Sequence, residues 1–342
     1  MTARAFISGM AGTAIGPDEV RFFRETRPWG LILFKRNIDN PAQVKAITAH
    51  FRDILGRDAP VLVDQEGGRV QRLGPPHWPV YPPGAAYAAL YESDPGRGLE
   101  ATRLGGRLLA EDLVAVGIDV DCVPVADVPV AGADRVIGDR AFGDTPQQVA
   151  ALAGAQAEGL MAAGVLPVVK HLPGHGRATA DSHLNLPVVD TDRATLEKTD
   201  FAAFRPLSRL PLGMTAHVVF SAIDAVKPAT TSAIMIRDVI RGSIGFEGLL
   251  MSDDVSMGAL SGTLSGRSRA ALAAGCDLVL HCNGNLDEMR EVADAAPVLA
   301  GEAAARAERA LALRRNRTDI DLAAARARFA DLMKQPTAGA IA

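Results

Sequence analysis

Eight short apolar runs, each followed by a longer stretch, constrain this chain more than any other feature. The runs cover residues 5–10, 30–34, 60–64, 118–123, 166–171, 213–219, 248–252 and 277–281. Stretches 41–55, 99–116, 145–163, 193–207 and 232–241 lie among them and are rich in Ala, Leu, Arg and Glu, residues of high helix propensity. Alternating strands and helices imply a parallel sheet covered by helices. Eight strands point to a closed single (β/α)8 TIM-type barrel, which takes about 250 residues. The open dinucleotide-binding sheet is disfavoured, because the first run continues as Gly9-Met10-Ala11-Gly12-Thr13 rather than G-x-G-x-x-G. Residues 1–335 are read as one barrel that includes the C-terminal helices, and 336–342 as a frayed tail. The Pro-, Gly- and Tyr-rich segment 73–94 reads as a long surface excursion.

Composition narrows the possible partners. The 342 residues are 48% hydrophobic and 22% charged, an ordinary globular balance. A net charge of −4 gives no electrostatic reason for binding nucleic acid or an anionic membrane. Three cysteines, Cys122, Cys276 and Cys282, are too few and too scattered for a disulfide framework or a paired C-x-x-C metal site. No apolar run is long enough for a transmembrane helix, and the N-terminal apolar stretch is too short for a secretion signal. A cytoplasmic protein is expected, with no obligate protein partner.

In such a barrel, functional residues sit at the C-terminal ends of the strands. Here the third run ends in Asp64-Gln65-Glu66-Gly67-Gly68-Arg69-Val70-Gln71-Arg72. The fifth ends in Lys170-His171-Leu172-Pro173-Gly174-His175-Gly176, the sixth in His217 and the seventh in Asp253-Asp254. Strand ends meet solvent and are often polar. Four that are ionisable, however, would surround one pocket with carboxylates, imidazoles and cations, which are costly to bury unpaired. In a regular strand, Asp253 and Asp254 face opposite ways, so one enters the pocket and the other holds a backbone amide or a nearby cation. Asp181 and His183 are two residues apart and share a face if extended, a pairing in which a carboxylate orients an imidazole for proton transfer. The same spacing also fits a surface pair. His175 reads as the organiser of a tight Pro-Gly-His-Gly turn.

Taken together, these segments resemble glycoside hydrolase family 3, specifically its single-domain bacterial β-N-acetylglucosaminidases. The resemblance rests on 64–72, on Ile137-Gly138-Asp139-Arg140-Ala141-Phe142-Gly143, on 170–176 followed by Asp181-Ser182-His183, and on Ser252-Asp253-Asp254-Val255-Ser256-Met257. Leu172 departs from the usual Phe. The resemblance implies a retaining mechanism with Asp253 as nucleophile and His183 as general acid/base, oriented by Asp181. It implies that Asp64, Arg72, Arg140, Lys170 and His171 hold the sugar, with His217 as an outer or minor contact. It further implies a small carbohydrate substrate, N-acetylglucosaminyl muropeptide fragments of cell-wall recycling, and neither cofactor nor metal. The residues leave two other readings open. One is a metal-dependent barrel hydrolase using His171, His175, His183 and His217; the other is a non-catalytic sugar-binding relative. Phosphate in place of water as acceptor is a lesser variant.

Overall fold

The computed structural model describes residues 3–178, 181–182 and 185–334. The expected tail, 336–342, lies outside them, as does His183. Eight parallel strands close into a barrel in chain order: β1 (Arg4–Ser8), β2 (Pro28–Leu33), β3 (Val61–Val63), β4 (Val120–Asp121), β5 (Leu166–Leu172), β6 (Leu212–Thr215), β7 (Leu249–Asp254) and β8 (Leu278–His281). β1 pairs with both β2 and β8, which leaves no free edge. All eight runs read from the sequence form barrel strands, shifted by a few residues at their ends.

Strand alternation produces two apolar layers. Ile7, Ile32, Leu62, Val120, Val168, Leu212, Met251 and Leu280 belong to one cluster, inside the barrel. Phe6, Leu31, Leu33, Val61, Val63, Val169, Leu250 and Val279 belong to the cluster shared with the surrounding helices. Burying a side chain of this size contributes about 1.5–3 kcal/mol, so the strand pattern alone supplies a large driving force for closure.

Three expectations are corrected. The segment 73–94 is not a surface excursion: it holds helix Gly84–Ser93, and Trp78, Tyr81 and Tyr87 are buried. Its rings pack against Phe142 and Phe329, and the Tyr81 hydroxyl donates to Asp112 Oδ2 at 2.6 Å. The stretch 193–207 breaks at Thr199 into Arg193–Lys198 and Asp200–Phe204, because Asp200 turns to accept from Arg177. Residues Met235–Ser243 wind as a wider π-type helix rather than an α-helix. The expected C-terminal helices are Gly301–Ala312 and Leu322–Met333. Among the described residues, no helix is long and apolar enough to cross a membrane.

The helices Pro95–Val114 and Pro146–Ala162 cross at backbone distance. A Cβ on Gly159 would lie 2.1 Å from the Arg103 carbonyl oxygen, and one on Gly106 would lie 2.6 Å from that of Gln156. Close packing therefore outweighs the low helix propensity of glycine here. Gly159→Ala is expected to lose about 1–3 kcal/mol of stability by overpacking, although alanine favours an isolated helix by about 0.8–1 kcal/mol. Urea unfolding checks this; a variant as stable as the wild type would show that the two helices can separate freely.

Candidate active site

The β3 strand ends at Val63, and the chain turns at once into a small antiparallel hairpin, Gln65–Gly67 against Val70–Gln71. Gly67 permits this turn: its φ is +95°, and a Cβ there would meet the Pro82 carbonyl oxygen at 2.3 Å. Buried Gln65 fixes the far side, accepting from the amides of Arg72 and Leu73 and donating to the Leu73 carbonyl. This local fold aims Asp64, Glu66 and Arg72 into a cavity of about 360 Å³ at the C-terminal end of the barrel.

Across the cavity floor runs an unbroken chain of opposite charges. Arg72 donates to Asp64 Oδ2 at 2.9 Å, and Lys170 Nζ meets Asp64 Oδ1 at 2.9 Å and Glu66 Oε1 at 2.8 Å. Arg140 grips Glu66 through two bonds of 2.7 Å, a bidentate geometry that is strong and directional. Burial opposes ionisation of Asp64, but Lys170 and Arg72 overcome it and hold the carboxyl well below the usual range. Burial likewise opposes ionisation of Glu66, and Lys170 and Arg140 again depress it. Both Lys170 and Arg140 have their charges reinforced, despite burial, by these carboxylates. For Asp121, whose Oδ1 accepts the Gln65 amide at 2.9 Å, burial dominates and pushes the carboxyl well above its ordinary value.

Lys170 and His171 are neighbours on β5, yet both line the cavity. The pairing with β6 slips between Val169 and Leu172, and the Lys170–His171 peptide is cis. Segment 124–127 continues alongside β5, with Ala126 donating to the Lys170 carbonyl and Lys170 donating to that of Pro124. This places fully buried Asp127 against His171, whose Nδ1 lies 2.7 Å from Asp127 Oδ2.

Asp253 and Asp254, at the end of β7, both line the cavity. Asp253 Oδ1 accepts the amide of Asp254 at 2.8 Å. Asp254 serves its own turn: it accepts from the amides of Ser256 and Cys282 and from the Ser256 hydroxyl. The expected split, one member in the pocket and the other on the backbone, is therefore corrected: the register of β7 shifts between Met251 and Asp254, both side chains line the cavity, and each also accepts a backbone amide. Asp181 reaches the same cavity. The neighbouring Ser182 is tied to His175 by a 3.0 Å contact between Ser182 Oγ and Nε2. Burial and the adjacent His171 lower the pKa of His175 to about 4, so it is neutral near pH 7. This fits its expected organising role.

His217 is not at the cavity. It is buried, with Nδ1 2.7 Å from Thr230 Oγ1 and Nε2 donating to the Asp254 carbonyl at 2.9 Å. Of the proposed histidine cluster, His171, His175 and His217 are engaged by Asp127, by Ser182 and by Thr230 with the Asp254 carbonyl, His183 lies outside the described residues, and no group of three metal-ligating residues forms among the described residues. Sequence reasoning missed Glu66 and Asp127. Glu66 stood within the quoted strand-three motif; Asp127 sits in an apolar run with no visible signal.

A parallel barrel that gathers ionised carboxylates and cations in a sugar-sized pocket at its strand ends has the architecture of a barrel glycoside hydrolase. Residues 21–313 match the family model described as glycosyl hydrolase family 3 N terminal domain, and the chain belongs to that family. It is 43% identical over 279 residues to a β-hexosaminidase of Alkalilimnicola ehrlichii, covering 80% of this chain and 79% of that protein. It is similar to the crystal structure of NagZ from Neisseria gonorrhoeae in complex with N-trifluoroacetyl-D-glucosamine, with a TM-score of 0.86 and 32% identity over 98% of this chain and 99% of that one. A family 3 β-N-acetylglucosaminidase from Paenibacillus sp. superposes with a TM-score of 0.80 and 29% identity, covering 99% of this chain and 63% of that one.

Removing Lys170 would leave two buried carboxylates side by side without the cation they share, each held by its arginine alone. Lys170→Met is expected to cost about 3–5 kcal/mol at pH 7. In the wild type, Asp64 and Glu66 have depressed pKa values, so their stabilisation is present above the unfolded-state values near 4 and fades as pH falls through the folded ones. In the variant, burial acts unopposed by Lys170, and the carboxyls protonate more readily. The stability gap should therefore narrow on acidification from pH 7 towards pH 5. Urea titrations at both values test the sign; a gap that widens would contradict it.

Proposed function

We propose that this glycoside hydrolase is a retaining exo-β-N-acetylglucosaminidase that cleaves terminal β-linked N-acetylglucosamine through a covalent glycosyl–Asp253 intermediate. The observation that carries the reading is a single cavity that collects Asp253 and Asp181 together with Asp64, Arg72, Arg140, Lys170 and His171. The first set suits bond cleavage and the second suits binding neutral hydroxyls through charged hydrogen-bonding groups.

In the proposed sequence the Asp253 carboxylate attacks the anomeric carbon while the glycosidic carbon–oxygen bond breaks. His183, oriented by Asp181, gives its proton to the leaving oxygen. In the second step, neutral His183 takes a proton from water as that water attacks the anomeric carbon and releases Asp253. An imidazole suits this exchange because it titrates near neutral pH. The role of His183 rests on the sequence motif, because the residue lies outside the described ones.

The natural substrates we propose are N-acetylglucosaminyl muropeptide fragments, and the setting cytoplasmic cell-wall recycling. The similarity to a structure that holds N-trifluoroacetyl-D-glucosamine supports the choice of sugar, and the muropeptide setting rests on the sequence resemblance.

Hydrolysis of a chromogenic aryl N-acetyl-β-glucosaminide beside the matching β-glucoside tests the activity. Wild type should prefer the N-acetyl sugar and ignore EDTA. Asp253→Ala should lose more than about 10³-fold in kcat, the scale of removing a covalent nucleophile. EDTA sensitivity would favour the metal-dependent alternative, and no turnover of either sugar by folded wild type would favour a binding-only protein. His183→Ala should lose most activity on a natural disaccharide, and full activity there would remove His183 from the mechanism.

A further inference from the structure

We propose that Asp127 is a positioning residue that sets the ring of His171 for sugar binding, presenting Nε2 to the ligand. The inference deepens the proposed hexosaminidase reading and rests on it for the identity of the ligand.

Three donors converge on this one carboxylate. Asp127 Oδ2 lies 2.7 Å from His171 Nδ1, while Oδ1 accepts the amides of His171 at 3.2 Å and His175 at 2.7 Å. Asp127 is fully buried, and His171 is 7% exposed at the cavity wall. An ionised carboxylate can only accept hydrogen bonds, so the proton of this contact sits on Nδ1. Nε2 is then the ring nitrogen left for the cavity, an acceptor in the neutral ring and a donor in the cation. Burial opposes ionisation of Asp127, yet His171 and these contacts hold it below its ordinary value, which keeps the acceptor charged.

Without that carboxylate, the imidazole could adopt either tautomer and either of two ring flips. A hydroxyl placed for one arrangement would meet the wrong partner in the others, and a mismatched buried polar contact weakens binding. The second ring nearby does not substitute for Asp127. His175 packs edge-on to His171 with centroids 5.7 Å apart, but its Nε2 is engaged by Ser182.

A double-mutant cycle tests the proposal, using the aryl N-acetyl-β-glucosaminide as substrate and N-acetylglucosamine as competitive inhibitor. Asp127→Asn should raise KM and the inhibition constant at least tenfold while changing kcat less. In a His171→Ala background, the same substitution should add less than twofold to either constant. Equal effects in both backgrounds would mean that Asp127 only clamps the backbone, and an unchanged KM in the single variant would also overturn the idea. Imidazole nitrogen-15 NMR of the wild type gives an independent answer if Asp127→Asn does not fold. His171 should appear with its proton on Nδ1 whenever its ring is neutral; a neutral ring protonated on Nε2 would refute the assignment. If the wild type turned over no aryl hexosaminide, the functional reading would fail, while the NMR result would still decide the role of Asp127.

Discussion

Everything at the mouth of this barrel depends on Lys170. A primary ammonium with 3% of its side chain exposed would be costly to bury alone, and so would either carboxylate that it touches. Placed between Asp64 and Glu66, it makes all three tolerable, and Arg72 and Arg140 complete the chain at its two ends. The members come from the end of β3, its hairpin, the turn after β4, and β5. Their mutual attraction therefore fixes the relative positions of three successive strand ends. The pocket keeps its shape for electrostatic reasons as much as for packing reasons.

This network also explains why the side of the cavity proposed to bind sugar can be rigid without being apolar. Charged groups that are already paired need little rearrangement when a neutral hydroxyl arrives, because their orientations are set in advance. Arg69 extends the same logic outward. It pairs with Asp139 and donates to the carbonyls of Arg135 and Val136, pinning the loop that carries Arg140 to the β3 hairpin.

Much of the architecture was legible in the sequence because burial in a closed parallel barrel leaves a strong signature: short apolar runs at regular intervals, with polar residues at their ends. Asp64, Arg72, Lys170 and His171 were legible for the same reason, since they lie at or just after strand ends, whereas Arg140, in a loop well past β4, was legible only through its likeness to the family motif. Asp127 was not, because its importance comes from a segment that runs beside β5 after β4 has formally ended, a pairing no local pattern announces. His217, expected as an outer or minor contact, takes the outer place behind Asp254. It follows the sixth strand, and its buried ring engages Thr230 and the Asp254 carbonyl rather than the cavity. The segment 73–94 looked exposed because Pro and Gly are common in loops; Tyr81 and Tyr87 nevertheless pack against Phe142 and Phe329, and Trp78 is buried as well.

The order of these residues along the chain has a consequence for how the enzyme can change. Asp64, Glu66, Arg72, Asp127, Arg140, Lys170 and His171 all come from the stretch between β3 and β5, whereas Asp253 comes from β7. On the proposed reading, ligand recognition and the attacking group are thus encoded in separate parts of the barrel, the first in three successive strands and their loops and the second in β7. Exchange or drift within 61–172 could retune which sugar is accepted while the attacking carboxylate stays in place, so libraries aimed at altered selectivity can be confined to one contiguous third of the gene.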